Sequence, residues 1–231
     1  GNPESYDLPP SAMVGLSKCR LYFSCGYLGF ERSWLGKLSE NNPRLQVVDL
    51  SEGLELLYGT HHHEEGHLHD GEAYPDPHIW CSPRLARRMV ETMYRALTEI
   101  DPDGASVYAE NYARIDRRFA QLDSVLTDKL RPFKGKVFAV YHPTLSYWAA
   151  DYGLRQLALE PDGKSPSPQY LRAMVDSARH VGVEVVFIQQ EFDPRQAETF
   201  AREVGCRTEI INPLAYTWSE EIMRIADAFI R

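Results

Sequence analysis

The sequence predicts an α/β protein: two lobes with parallel sheets flanked by helices, joined by one long backbone helix. Three observations predict it. From residue 136 onward, short apolar runs alternate with segments of helical period, and strand–helix alternation with continuous apolar strands implies a parallel sheet covered on both faces. Upstream, Tyr108, Tyr112, Ile115, Phe119, Leu122, Leu126 and Leu130 recur at steps of three and four, the stripe of one amphipathic helix. Running from about 105 to 130, that helix would be roughly 40 Å long, the width of a whole domain, and so reads as a spine between two lobes. Before it lies a polar, histidine-rich stretch in which neither period survives, which reads as a loop.

Taken in order, residues 6–17 read as a turn and a short helix, with Pro9 and Pro10 near its start and Met13 and Leu16 on its apolar face. Residues 20–24 read as a buried strand, 29–38 as a helix carrying Trp34 and Leu38, and 45–50 as the next strand. Residues 59–77 form the loop. Pro83–Ile100 is a helix with Ser82 as N-cap and Pro83 at its first position. Asp101-Pro102-Asp103-Gly104 separates it from the spine. Strands are then expected at 136–141, 154–159, 183–188 and 208–211. Helices are expected at 145–152, 168–181, 194–204 and 219–231. The expected division is an amino-terminal lobe 1–104, a linking helix 105–131 and a carboxy-terminal lobe 132–231.

Composition narrows the function. The 231 residues are 43% hydrophobic and 11% aromatic, which suits a packed globular chain rather than a disordered one. The net charge of −8 argues against a general nucleic-acid binder, because nothing would neutralise a run of phosphates, and suits a surface that attracts cations. No apolar run approaches the roughly 20 residues of a membrane helix. Cys19, Cys25, Cys81 and Cys206 form no CxxC pair and no zinc-ribbon spacing. One disulfide and four buried thiols both remain open.

His142 stands directly after a strand and opens the loop His142-Pro143-Thr144. In parallel sheets, ligands bind beyond the carboxyl ends of the strands; the alternative is a loop histidine bonded to backbone. His78 lies in Asp76-Pro77-His78-Ile79-Trp80, where proline fixes the approach and little entropy is lost on binding. The alternative is a turn histidine shielded by Trp80. Glu4, taken alone, is a solvated residue near a terminus. His61, His62, His63, His67 and His69 are interleaved with Glu64, Glu65 and Asp70. Imidazole and carboxylate at that density bind zinc, copper or nickel weakly and exchangeably; a merely solvated loop is the alternative. There is no HExxH, GxSxG, P-loop or strand-borne GxGxxG, and nothing marks the extra acid or base of a hydrolytic zinc site.

Seven segments in order resemble the zinc- and manganese-binding solute-binding proteins of bacterial ABC importers. They are Asn2-Pro3-Glu4-Ser5-Tyr6-Asp7-Leu8-Pro9-Pro10-Ser11; Tyr22 to Gly26 with Gly29-Phe30-Glu31, Trp34 and Leu38; the histidine-rich loop; Asp76-Pro77-His78-Ile79-Trp80 with Ser82-Pro83; Asp101-Pro102 with Asn111-Tyr112; Val140-Tyr141-His142-Pro143 with Tyr147-Trp148; and Ile211-Asn212-Pro213-Leu214. The resemblance implies two lobes, one rigid helix and a metal held between them by His78 and His142. Glu4 stands where a first histidine is usual and can ligate through oxygen. Asn212 stands where many members place a carboxylate and is a weaker ligand, and Glu191 could supply a carboxylate from the second lobe. Relatives carry a strand, a helix and a second strand before the segment that starts here, so an amino-terminally shortened first lobe is expected.

Two imidazoles with one or two oxygens suit zinc, and manganese less well. The histidine-rich loop tips the balance to zinc, which it would gather or sense. The implied function is extracytoplasmic capture of zinc and delivery to an importer's permease. The chain would face outside the cytoplasm, periplasmic or lipid-anchored, with its leader not in this sequence. A metal-dependent adhesin and a metallohydrolase are the alternatives; neither an enzymatic role nor nucleic acid as a partner is expected.

Overall fold

The structure, a computed structural model, describes residues 9–59, 74–160 and 166–231. Glu4 and the five loop histidines lie outside them. In the amino-terminal region α1 (Pro10–Leu16) leads to β1 (Leu21–Ser24), α2 (Gly29–Asn41) and β2 (Gln46–Asp49). β1 and β2 pair in parallel, Leu21 opposite Gln46 and Ser24 opposite Asp49. The expected loop differs at its ends. β3 (Tyr58–Gly59) and β4 (Tyr74–Pro75) form a two-residue antiparallel ladder, so the stretch is closed at a neck before Asp76.

Next come α3 (Pro83–Ile100) and α4 (Ala105–Leu130), with the bounds expected for both. The Ser82 hydroxyl accepts the Leu85 N–H at 3.0 Å, the bond that an N-cap supplies to an otherwise orphaned donor. α4 buries Leu126 and Leu130 completely, while Tyr108, Tyr112, Ile115 and Phe119 are half-buried. Its carboxyl end is thus rooted in the second sheet's core and its amino half lies along α3. There Tyr94 stacks on Tyr112 at 4.7 Å, and Arg84 pairs with Asp123 at 2.9 Å. Surface ion pairs of this kind add little, so ring stacking and burial carry that contact.

The carboxy-terminal region alternates as predicted: β5 (Val137–Val140), α5 (Ser146–Asp151), β6 (Arg155–Ala158), α6 (Pro168–Val181), β7 (Val185–Gln189), α7 (Pro194–Val204), β8 (Arg207–Ile211) and α8 (Trp218–Phe229). The strands lie in the order β6-β5-β7-β8, all parallel. Side-chain alternation divides them between two cores. Phe138, Val140, Val185 and Phe187 face Leu126, Leu130, Trp148 and Phe229; Ala139, Tyr141, Val186 and Ile188 face α6 and α7 through Val175, Ala178, Ala197 and Phe200. A third, smaller core joins the two regions: Leu50, Ile79 and Met89 pack with Tyr147 of α5. None of the four cysteines forms a disulfide, and Cys81 is fully buried. Among the described residues no helix is long and apolar enough to cross a membrane.

Candidate metal centre

His78 is set by its own neighbours. The Asp76 carboxylate accepts the His78 backbone N–H at 2.9 Å and engages its Nδ1 at 2.7 Å. Pro77 holds Asp76 extended, which favours this i to i+2 turn. Asp76 and His78 are both only 2% exposed. Burial pushes the Asp76 carboxyl up, but the attraction and hydrogen bonds of His78 outweigh it and hold the group below the usual carboxylate range.

His142 is set by the sheet. It follows β5, and its N–H donates to the Gln189 side-chain oxygen at 3.4 Å while the Gln189 amide donates to its carbonyl at 2.6 Å and to the Thr144 hydroxyl at 2.6 Å. Gln189 ends β7, the neighbouring strand, and is wholly buried. The His142 Nδ1 is engaged by the Glu160 carboxylate, and both residues are buried. The register explains this pairing: Val140 lies opposite Ala158, so two residues further on His142 meets Glu160. Phe192 stacks on the His142 ring at 5.4 Å.

The two imidazoles meet, their centroids 5.2 Å apart and their planes at 74°, with Trp80 5.2 Å from His78. A ring whose Nδ1 donates to a carboxylate carries its lone pair on Nε2, the tautomer and support typical of a metal-ligating histidine. The two carboxylates also bring negative charge to where a cation would sit. Among the described residues no group of three or more His, Cys, Asp and Glu is arranged to hold a metal ion, so the described part is a pair of imidazoles with their supports.

The other described positions, Asn212 and Glu191, each follow a strand of the second sheet. Asn212 follows β8, but its side-chain oxygen accepts the Leu214 N–H at 3.2 Å and its own N–H donates to Glu221 at 2.7 Å. Glu191 is exposed between β7 and α7. Sequence reasoning missed Glu160 and Gln189, and treated Asp76 only as part of a motif. Asp76 had a readable signal, an Asp-Pro two residues before a histidine. Glu160 had a weaker one, a carboxylate just past a strand end.

A further buried carboxylate is already satisfied. Glu31, 3% exposed, accepts from the Ser24 hydroxyl at 2.9 Å, the Tyr22 hydroxyl at 3.2 Å, and the Cys25 and Gly26 N–H groups at 3.1 Å each. It stitches the end of β1 to the start of α2. Burial, with Glu31 and Asp49 nearby, pushes the Cys25 thiol up to about 12. Gly26 is required here: its φ is +88°, and a Cβ would come within 2.6 Å of the Ser51 hydroxyl.

Fold and site together define a class: two-region α/β binding proteins with supported imidazoles at the junction of the regions. The chain belongs to the ZnuA family, described as zinc-uptake complex component A, periplasmic, whose profile matches residues 1–228. It is 28% identical over 201 residues to the zinc-binding lipoprotein AdcA of Streptococcus pneumoniae, an alignment covering 82% of this chain and 39% of AdcA. The chain therefore spans about two fifths of that relative's length. It is 29% identical over 228 residues to the high-affinity zinc uptake system protein ZnuA of Bacillus subtilis, covering 95% of this chain and 70% of that protein. A crystal structure of ZnuA superposes with a TM-score of 0.86 at 32% identity, over 98% of this chain and 84% of the other.

Proposed function

We propose that this chain captures zinc outside the cytoplasm and delivers it to the permease of an ABC importer. The observation that carries this reading is the pair of buried imidazoles 5.2 Å apart, each with Nδ1 engaged by its own carboxylate. Metal-binding histidines are almost always supported in this way, because the second hydrogen bond fixes tautomer and ring direction and raises ligand basicity. In this reading His78 and His142 are ligands, Glu4 is the third, and Asn212 or Glu191 completes the sphere. His61, His62, His63, His67 and His69 form an auxiliary binding loop. Imidazole donors favour zinc over manganese, which prefers oxygen.

The lobes would be 1–104 and 132–231, with 105–131 as the linking helix. The role is carriage rather than catalysis: Asp76 and Glu160 are engaged in orienting rings, not poised as acid or base. An extracytoplasmic location, periplasmic or lipid-anchored, is supported by the family description and by the lipoprotein among the relatives. The test is zinc titration against a competing chelator. The unaltered chain is expected to bind one zinc tightly, and His78→Ala and His142→Ala are each expected to weaken it by more than about a hundredfold. Unchanged affinity in both variants would overturn the assignment.

A further inference from the structure

α5 begins a few residues after His142, yet it reaches across to the segment that carries His78. Tyr147, 3% exposed, packs its ring against Leu50, Ile79 and Met89. Its hydroxyl donates to the Asp76 carbonyl at 2.7 Å and accepts the Leu57 N–H at 3.2 Å. Leu57 and Asp76 are the next pair below the β3–β4 ladder, where Tyr58 lies opposite Pro75. A hydrogen-bonded antiparallel pair exchanges two bonds. Here one is direct, Asp76 N–H to Leu57 carbonyl at 2.8 Å. In place of the other stands the phenol oxygen, a wedge that spreads the ladder as the chain turns into Asp76-Pro77-His78. At the far end of the same helix the Asp151 carboxylate accepts the Ser82 hydroxyl at 2.5 Å. One short helix therefore grips both ends of the stretch 76–82.

We propose that Tyr147 is a positioning residue that sets the separation of the two imidazoles, acting on His78 through the Asp76 peptide. This rests on the reading of His78 and His142 as zinc ligands. Without the hydroxyl, either the ladder closes and draws Asp76 toward Leu57, or the buried Asp76 carbonyl and the Leu57 N–H lose their partner. Both outcomes move or loosen His78 relative to His142.

Tyr147→Phe keeps the buried ring and removes only the wedge. Its zinc dissociation constant is expected to rise about tenfold, the lower end of what losing an outer partner of a metal ligand costs. The visible spectrum of the cobalt(II)-loaded protein, which reports ligand geometry, should change with it. Phe200→Leu, in the core between α6 and α7, is the control. It should lower the thermal midpoint but leave both the dissociation constant and the cobalt spectrum as they are. Wild-type zinc affinity and cobalt spectrum in Tyr147→Phe would overturn the proposal while leaving the ligand assignment standing. An unaltered chain that binds no zinc would overturn both.

Discussion

The carboxylate behind His78 comes from two residues away, and the one behind His142 from eighteen. Asp76 reaches its histidine by a turn that three consecutive residues make by themselves, with proline restricting the first. Glu160 reaches its histidine only because β5 and β6 pair in one register, with Val140 opposite Ala158. Gln189 adds a third strand to the same support, from β7. One ring thus takes its carboxylate from local conformation and the other from tertiary pairing. The first carboxylate needs only its own turn, whereas the second is lost when the sheet is disturbed.

Three substitutions probe that contrast, in descending order of effect. Glu160→Leu removes the carboxylate that engages the buried His142 Nδ1 across two strands. Zinc affinity is expected to fall up to about a hundredfold, and denaturant unfolding to show a loss of about 2 kcal/mol. Asp76→Asn retains one oxygen for the His78 N–H groups but removes the charge and turns the second acceptor into a donor, so about a tenfold loss of affinity is expected in the same titration. If Asp76→Asn proves the more damaging, the contrast between local and tertiary support is wrong.

The third substitution moves the local turn to the surface. Asp193 accepts the Arg195 N–H at 3.0 Å, the same i to i+2 bond as in Asp76. Hydrogen bonds from the Arg195 side chain and backbone hold its carboxyl down to about 2. A depressed folded-state pKa means that the contribution is present above the unfolded value near 4 and fades as pH falls through about 2. Thermal melts should therefore show Asp193→Ala slightly less stable than the unaltered chain at pH 6, with the gap closing toward pH 2. It is the smallest of the three effects, because the group is exposed and screened by solvent.

The same division separates what the sequence disclosed from what it withheld. α3 was legible from Ser82-Pro83, and α4 from an unbroken apolar stripe, because a helix writes its period along the chain. β7 was legible from its β-branched run. The strand order β6-β5-β7-β8 is not written along the chain, and without it Glu160 and Gln189 cannot be matched to His142. The β3–β4 ladder escaped notice because two residues a side carry no period. His78 and His142 were found through flanking prolines and a strand end, together with the ordered likeness to a family. Asn212 came from that likeness alone, and its side chain serves its own turn.

The neck formed by Tyr58–Gly59 and Tyr74–Pro75 has a consequence for how this chain can vary. Because the ladder pairs Tyr58 with Pro75 just before Asp76, insertions and deletions between its two sides are expected to leave the imidazole downstream where it is. Closing a segment twice as long adds only about 0.6 kcal/mol of entropy. Descendants of this gene are therefore free to lengthen, shorten or rewrite that stretch while inheriting an unaltered scaffold beneath it.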